Sequence, residues 1–231
     1  MGSAVTRVRV WDLPLRLFHW TLFVLVAVAF VSAQVGGNAM VWHGRAGLAV
    51  LGLVAFRVVW GFVGSTHARF ASFVRGPAAI RAYLKGQWNG LGHNPLGALS
   101  VLALLTLLAV QAATGLFADD EIAFQGYLYP LVGSAASSRI TAIHKLFEPA
   151  LIVLVSAHIL AIAFYLRVKR TNLVKPMITG WTEVEGSAPR TRGGGIAAFF
   201  YAASIAGLCV YLASGALLPP PPPPAAETPA W

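Results

Sequence analysis

Four histidines sit in or beside strongly apolar runs: His19, His43, His144 and His158. An imidazole within a bilayer is costly and needs a partner. His144 and His158 share one run, "HKLFEPALIVLVSAH", with the second histidine fourteen positions after the first. On an α-helix that interval turns through about 1400°, roughly 40° short of four full turns, and rises ~21 Å. The two rings therefore face nearly the same way at opposite levels of a hydrocarbon core ~30 Å thick.

Each ring needs a counterpart at its own depth. His19 opens the first apolar run and His43 immediately precedes the second. If successive runs are antiparallel helices, His43 meets His144 at the outer level and His19 meets His158 at the inner level. Facing imidazoles on neighbouring helices form an axial ligand set for haem iron, and bundles build such sites between their helices. A helix–helix hydrogen bond explains one intramembrane histidine, but not four at matched depths. Zinc or copper is the rival for a histidine cluster, but it would want about four ligands at one depth; this pattern supplies two at each. The single cysteine, Cys209, and the lack of a C-x-x-C-H motif mean that haem is held without a thioether link. The spacing predicts two non-covalent b haems, one near each surface, with His19, His43, His144 and His158 as the iron ligands.

Helices must hold these rings, and the composition supplies them. Of 231 residues, 57% are hydrophobic and 11% charged, and the mean hydropathy is +0.69. A soluble domain carries about 25% charged residues, so the chain reads as an all-α integral membrane protein. Apolar stretches of about twenty residues cover 17–35, 44–63, 96–117, 143–166 and 196–218. The "FVSAQ" at the end of the first stretch also suits signal peptidase. Cleavage there would remove His19, so the pairing requires that the first stretch be retained.

The formal net charge of +9 would suggest nucleic acid in a soluble protein. Here fourteen of the seventeen basic residues fall on one side of the five spans. The positive-inside rule places that side, with the N-terminus, in the cytoplasm and the C-terminus outside. No nucleic-acid partner is expected, and membrane lipid surrounds the chain.

Several basic residues fall near the histidines. Arg57 follows His43 by the same fourteen-residue interval, which puts it at the inner level on nearly the same face. A buried guanidinium needs an anion, and a haem propionate would serve. Arg16 lies one turn before His19, and Arg45 and Lys145 stand beside the outer histidines. For these three, snorkelling to headgroups is an equally simple account. His67 and His93 read as ordinary residues of the segment between the second and third spans. Gly44, Gly47 and Gly52 would let a flat macrocycle approach the second span, or would serve close helix packing. The acidic "ADDEIAF" at 118–124 would steer a basic redox partner or form a solvated loop. Residues 77–85 read as a short interfacial helix beginning at Pro77.

The chain resembles the bacterial cytochrome b561 family, which includes the cytochrome b subunits of nickel–iron hydrogenases. The likeness is carried by "VRVWDLPLRLFHW", "WHGRAG", "FRVVWGFVGSTHARFASFVRGP", "LGHNPLGALS", "TGLFADDE", "HKLFEPALIVLVSAH" and "YLRVKRTNLVKPMITG", over roughly residues 5–180. It implies a four-helix haem-b bundle that exchanges electrons between the quinone pool and a redox partner, often a c-type cytochrome or a hydrogenase. It implies the same four histidines as ligands. The fifth span and its tail depart from the pattern.

The expected architecture is thus a four-helix dihaem domain over 1–180 and a flexible cytoplasmic linker over 181–195. A fifth transmembrane helix over 196–218 and a Pro-rich periplasmic tail over 219–231 complete it. The expected function is electron transfer across the bacterial cytoplasmic (inner) membrane between the quinone pool and a partner such as a periplasmic c-type cytochrome. Two alternatives stand beside it: a membrane anchor of a hydrogenase-like oxidoreductase, and a haem-free transporter or metal-binding membrane protein. No catalytic triad or nucleotide loop marks a self-contained enzyme, and a homodimer stays open.

Overall fold

The computed structural model describes residues 5–88, 90–122, 124–186 and 191–219. Among them are five helices long and apolar enough to cross a membrane. The first, α1 (Leu13–Val35), starts where Asp12 accepts the Leu15 amide at 2.7 Å, with Pro14 in the first turn. An acidic N-cap followed by proline satisfies one orphan amide and fixes the entry angle. Gly36, at φ 68°, ends α1 in a conformation that suits glycine. A 3-10 turn (Gly37–Ala39) then leads directly into α2 (Met40–Val63).

Two short helices follow, α3 (Phe70–Phe73) and α4 (Pro77–Leu84), the latter close to the expected interfacial segment. Asn94 caps the next span, α5 (Pro95–Gly115), by accepting the Gly97 amide at 2.8 Å. The fourth span, α6 (Gly133–Arg167), begins ten residues before the apolar stretch. At ~1.5 Å per residue its 35 residues reach ~52 Å, well beyond a bilayer core. The polar first part is helical because it packs on the preceding loop. Ser137 donates to Phe117 O at 2.7 Å, and Thr141 accepts from the Asp119 amide at 3.0 Å.

After α6 come α7 (Val174–Thr179), a strand, and the fifth span α8 (Gly195–Ala213). The expected flexible linker over 181–195 needs correction. Its first residues form β2 (Trp181–Glu185), paired antiparallel with β1 (Val5–Arg9) in the register Val5↔Glu185 to Arg9↔Trp181. Both strands alternate their side chains with period two, and Arg7 lies over the Trp181 ring at 5.6 Å. The fifth helix ends at Ala213, earlier than expected, and 220–231 of the proline-rich tail lie outside the described residues.

The close helix pairs are α1 with α2, α2 with α5, α2 with α8, and α5 with α6. The central helix is α2, with Ala46, Val50, Val54, Phe56 and Trp60 buried. Where it meets α8, a Cβ on Gly52 would come within 2.6 Å of Val210 Cγ2, so glycine permits that approach. By contrast, no residue of the apolar window of α6 is buried within the protein. Its main helical partner is α5, while Leu151 reaches the Val50, Val54 and Leu108 cluster and Glu148 accepts from Gln34 Nε2 of α1 at 3.3 Å. The largest buried cluster lies at the basic end, joining Val10, Trp11, Leu15 and Phe18 to Phe56, Trp60, Leu105 and Ala202.

Candidate haem sites

The four histidines come together as two pairs. His43 of α2 and His144 of α6 have ring centroids 6.1 Å apart, and His19 of α1 and His158 of α6 have centroids 6.3 Å apart. A metal–imidazole bond is about 2 Å and a ring nitrogen lies ~1.1 Å from its centroid, so two rings in line on one metal stand ~6.3 Å apart. Both separations fit one iron between each pair. They are too wide for a direct hydrogen bond between rings, whose nitrogens would need to approach to about 3 Å.

Hydrogen bonding on the His43–His144 pair fixes which nitrogen is free. His43 Nδ1 lies 2.8 Å from Ala29 O, and His144 Nδ1 lies 3.0 Å from Gln111 O. A carbonyl oxygen only accepts, so each Nδ1 carries the proton and donates. Each Nε2 keeps its lone pair for a metal. Thr114 Oγ1 adds a second neighbour to His144 Nδ1 at 3.1 Å. Gly115 gives this ring its room, since a Cβ there would stand 3.2 Å from His144 Cε1. In the His19–His158 pair, His19 Nδ1 is shielded and has no hydrogen-bond partner among the described residues.

Of Gly44, Gly47 and Gly52 on α2, two take the packing role. A Cβ at Gly44 would press on the Phe124 ring and one at Gly52 on Val210, so both serve packing. Gly47, one turn beyond His43, would meet nothing within 4 Å and leaves an open face beside the outer pair.

Arg57 is 2% exposed, and neither terminal guanidinium nitrogen has a hydrogen-bond partner. Its guanidinium lies over aromatic faces, Phe70 at 4.9 Å and Phe73 at 5.9 Å. A buried cation without hydrogen-bonded compensation is expensive, and an anionic propionate fits its need. The nearby carboxylate, Asp12, is committed to the Leu15 amide and to Trp60 Nε1 at 3.0 Å. Arg16 donates to Ile178 O, and its Nε is shielded without a partner. Arg45 and Lys145 stay exposed, with Arg45 over the Trp42 ring at 5.3 Å. The geometry thus draws Arg57 inward, holds Arg16 at the base of α1, and leaves Arg45 and Lys145 at the surface.

His93 is not the ordinary loop residue that its sequence position suggests. Its ring is clasped between Trp11 and Phe73, each with its centroid 4.6 Å away. Burial first, then the charges of Arg57, His67, His158 and His19, push its pKa down to about 3. Burial also lowers the pKa of His67. The "GHNP" stretch gives one local signal, the Asn–Pro start of α5, which fixes where the chain turns but not that His93 is clasped.

The acidic loop is mostly built into its own turn. Asp119 accepts from the Glu121 amide at 2.8 Å and from Gln125 Nε2 at 3.1 Å. Asp120 accepts from the Ile122 and Phe124 amides, both at 2.9 Å. Glu121 is the exposed acid of the group. Among the described residues no cluster of three or more His, Cys, Asp or Glu side chains gathers to hold a metal ion.

A multi-pass helical bundle with paired intramembrane imidazoles is the form of a membrane cytochrome. The chain belongs to the prokaryotic cytochrome b561 family, whose model matches residues 10–180. It is similar to the probable Ni/Fe-hydrogenase B-type cytochrome subunits of Azotobacter chroococcum mcd 1 and Azotobacter vinelandii. Each is 28% identical over 224 residues, covering 80% of this chain and 92% of the relative. No solved structure matches the chain. The protein is therefore a b-type cytochrome with a role in membrane electron transfer. The match ends before α8, so the fifth span lies beyond the part that the family model describes.

Proposed function

We propose that the protein is a two-haem cytochrome that carries electrons across the bacterial inner membrane between the quinone pool and a redox partner. The partner in this reading is a periplasmic c-type cytochrome or the electron-carrying subunit of an oxidoreductase. The N-terminus and the β1–β2 pair lie in the cytoplasm. The observation that carries the reading is the pair of histidine couples, with centroids 6.1 and 6.3 Å apart, at the two levels of α6.

Each haem, when bound, supplies a one-electron iron couple, and that chemistry belongs to the cofactor. The chain holds and tunes it. His43 and His144 bind at the outer level, their rings oriented by Ala29 O and Gln111 O. His19 and His158 would hold the second haem at the inner level, where Arg57 would pair with a propionate and favour the reduced, more negative state. The apolar faces of α1, α2, α5 and α6 would keep water from a bound haem, which suits electron transfer rather than ligand chemistry.

The test is reduction by a soluble quinol analogue of the purified protein in vesicles, followed at the b-type α band. Reduction of both haems is expected. Failure of quinol to reduce either, while dithionite reduces both, would refute the quinone link but leave the haem sites intact. A second reading is favoured by the wording of the relatives' names: this chain serves as the membrane subunit of a hydrogenase-like oxidoreductase. Co-purification of a metal-containing subunit through mild detergent distinguishes it.

A further inference from the structure

We propose that the cavity between the start of α1, the end of α2 and the start of α8 binds one anionic phospholipid, its phosphate inside and its acyl chains along α1 and α8. The cavity measures about 710 Å³. Its lining combines an anion-seeking interior with a hydrocarbon mouth, at the end of the bundle where three spans terminate.

Three independent features select a phosphate. Ser65 lines the cavity, is 7% exposed, and its Oγ has no hydrogen-bond partner. The N-terminus of α8, a 19-residue helix, opens on the same space through Gly193, Gly194 and Gly195 and has no side-chain cap. Uncapped first-turn amides and the helix dipole favour an anion. Arg9 and Arg192 line the rim and are both exposed. The one carboxylate in the lining, Asp12, spends its oxygens on the Leu15 amide and Trp60 Nε1. The fold holds this arrangement in place: Arg192 N donates to Thr66 Oγ1 at 2.9 Å, and Thr66 N donates to Arg192 O at 3.0 Å.

The mouth selects a lipid over a free anion. Leu13, Leu17 and Ile196 line it with exposures of 49%, 58% and 73%. These side chains sit at the ends of membrane spans, where acyl chains cover them. Basic pockets between helices at the basic face of a membrane protein suit anionic headgroups. The site needs the fifth span, which is the part of the chain that the electron-transfer reading leaves without a role. Bound lipid would bridge α8 to α1 and steady the start of α8.

The full-length protein, delipidated in mild detergent, is titrated with phosphatidylglycerol, with phosphatidylcholine of the same chains, and with inorganic phosphate. Binding is read by native mass spectrometry and thermal unfolding. One phosphatidylglycerol per chain is expected, with a raised unfolding temperature. The variant R9Q/R192Q should bind it roughly 30-fold more weakly, about five-fold for each basic side chain lost near the headgroup. G193F, placed where a Cβ meets nothing within 4 Å outside its chain neighbours, should block the cavity while both arginine charges are kept. The haem spectrum of each variant reports that it has folded. Equal binding of phosphatidylcholine, unchanged binding by both variants, or equal stabilisation by inorganic phosphate would each overturn the lipid assignment, the last leaving an anion site only.

Discussion

His93 gives the protein an acid-sensitive point at the basic end of the bundle. Its ring lies between Trp11 and Phe73 beside the Arg57 charge, its Nδ1 is shielded without a partner, and its pKa falls from 6.5 to about 3. The folded state therefore refuses a proton that the unfolded chain accepts below pH 6.5. Stability is fully present above that pH and is lost as pH falls toward 3. At pH 5 the loss from this one group is ~2 kcal/mol, from about 1.36 kcal/mol for each of ~1.5 pH units. In a chain of this size ~2 kcal/mol corresponds to roughly 4–8 °C of unfolding temperature. His93→Phe keeps an aromatic ring between Trp11 and Phe73 but cannot take up the proton. Unfolding of the detergent-solubilised protein, followed at the haem band at pH 7.5 and pH 5.0, compares the two. The wild type should lose several degrees more than the variant between those pH values, because all other groups titrate alike in both. An identical pH dependence in wild type and His93→Phe would refute the reasoning.

Other outcomes follow from the same geometry. Gly115→Val should push on the His144 ring, since even a Cβ stands 3.2 Å from its Cε1; haem content should fall at the outer site and hold at the inner one, as separated redox titration steps would show. Gly52→Leu should force α8 away from α2, because its Cβ alone meets Val210 Cγ2 at 2.6 Å. The cost is about 1–3 kcal/mol of overpacking, and maleimide labelling of Cys209 on α8 should quicken while the haem spectrum is kept. Arg57→Gln should lower the midpoint potential of the couple held by His19 and His158 by some tens of millivolts, since a nearby positive charge would favour the reduced state. Potentiometric titration reads this, and an unchanged potential would show that Arg57 does not face the inner haem.

Five apolar stretches and the in-phase spacing of His144 and His158 carried most of the architecture, because a bilayer demands long apolar helices and a helix has a fixed period. The start of α1 was placed four residues late by hydropathy, because the Asp12 cap and Pro14 that begin it carry no apolar signal. Hydropathy alone placed the start of α6 ten residues late. Its polar first part owes its helix to Ser137 and Thr141 bonding the preceding loop, which no local apolar signal records. The β1–β2 pair was hidden for a different reason. Each strand is five residues long, and its partner lies at the other end of the family-matched region. The burial of His93 and the lone guanidinium of Arg57 likewise depend on where Trp11, Phe70 and Phe73 meet in space. Spacing set an expected depth for Arg57, but it did not show that neither terminal nitrogen would find a hydrogen-bond partner among the described residues.

The most direct measurement is the amount of b haem per polypeptide, by pyridine haemochrome on protein quantified by amino-acid analysis. Wild type should hold two, and His43→Ala and His158→Ala should each hold one, with the lost absorbance coming from different potentials in the two variants. A single haem in the wild type, or two in either alanine variant, would contradict the assignment of one iron to each histidine pair.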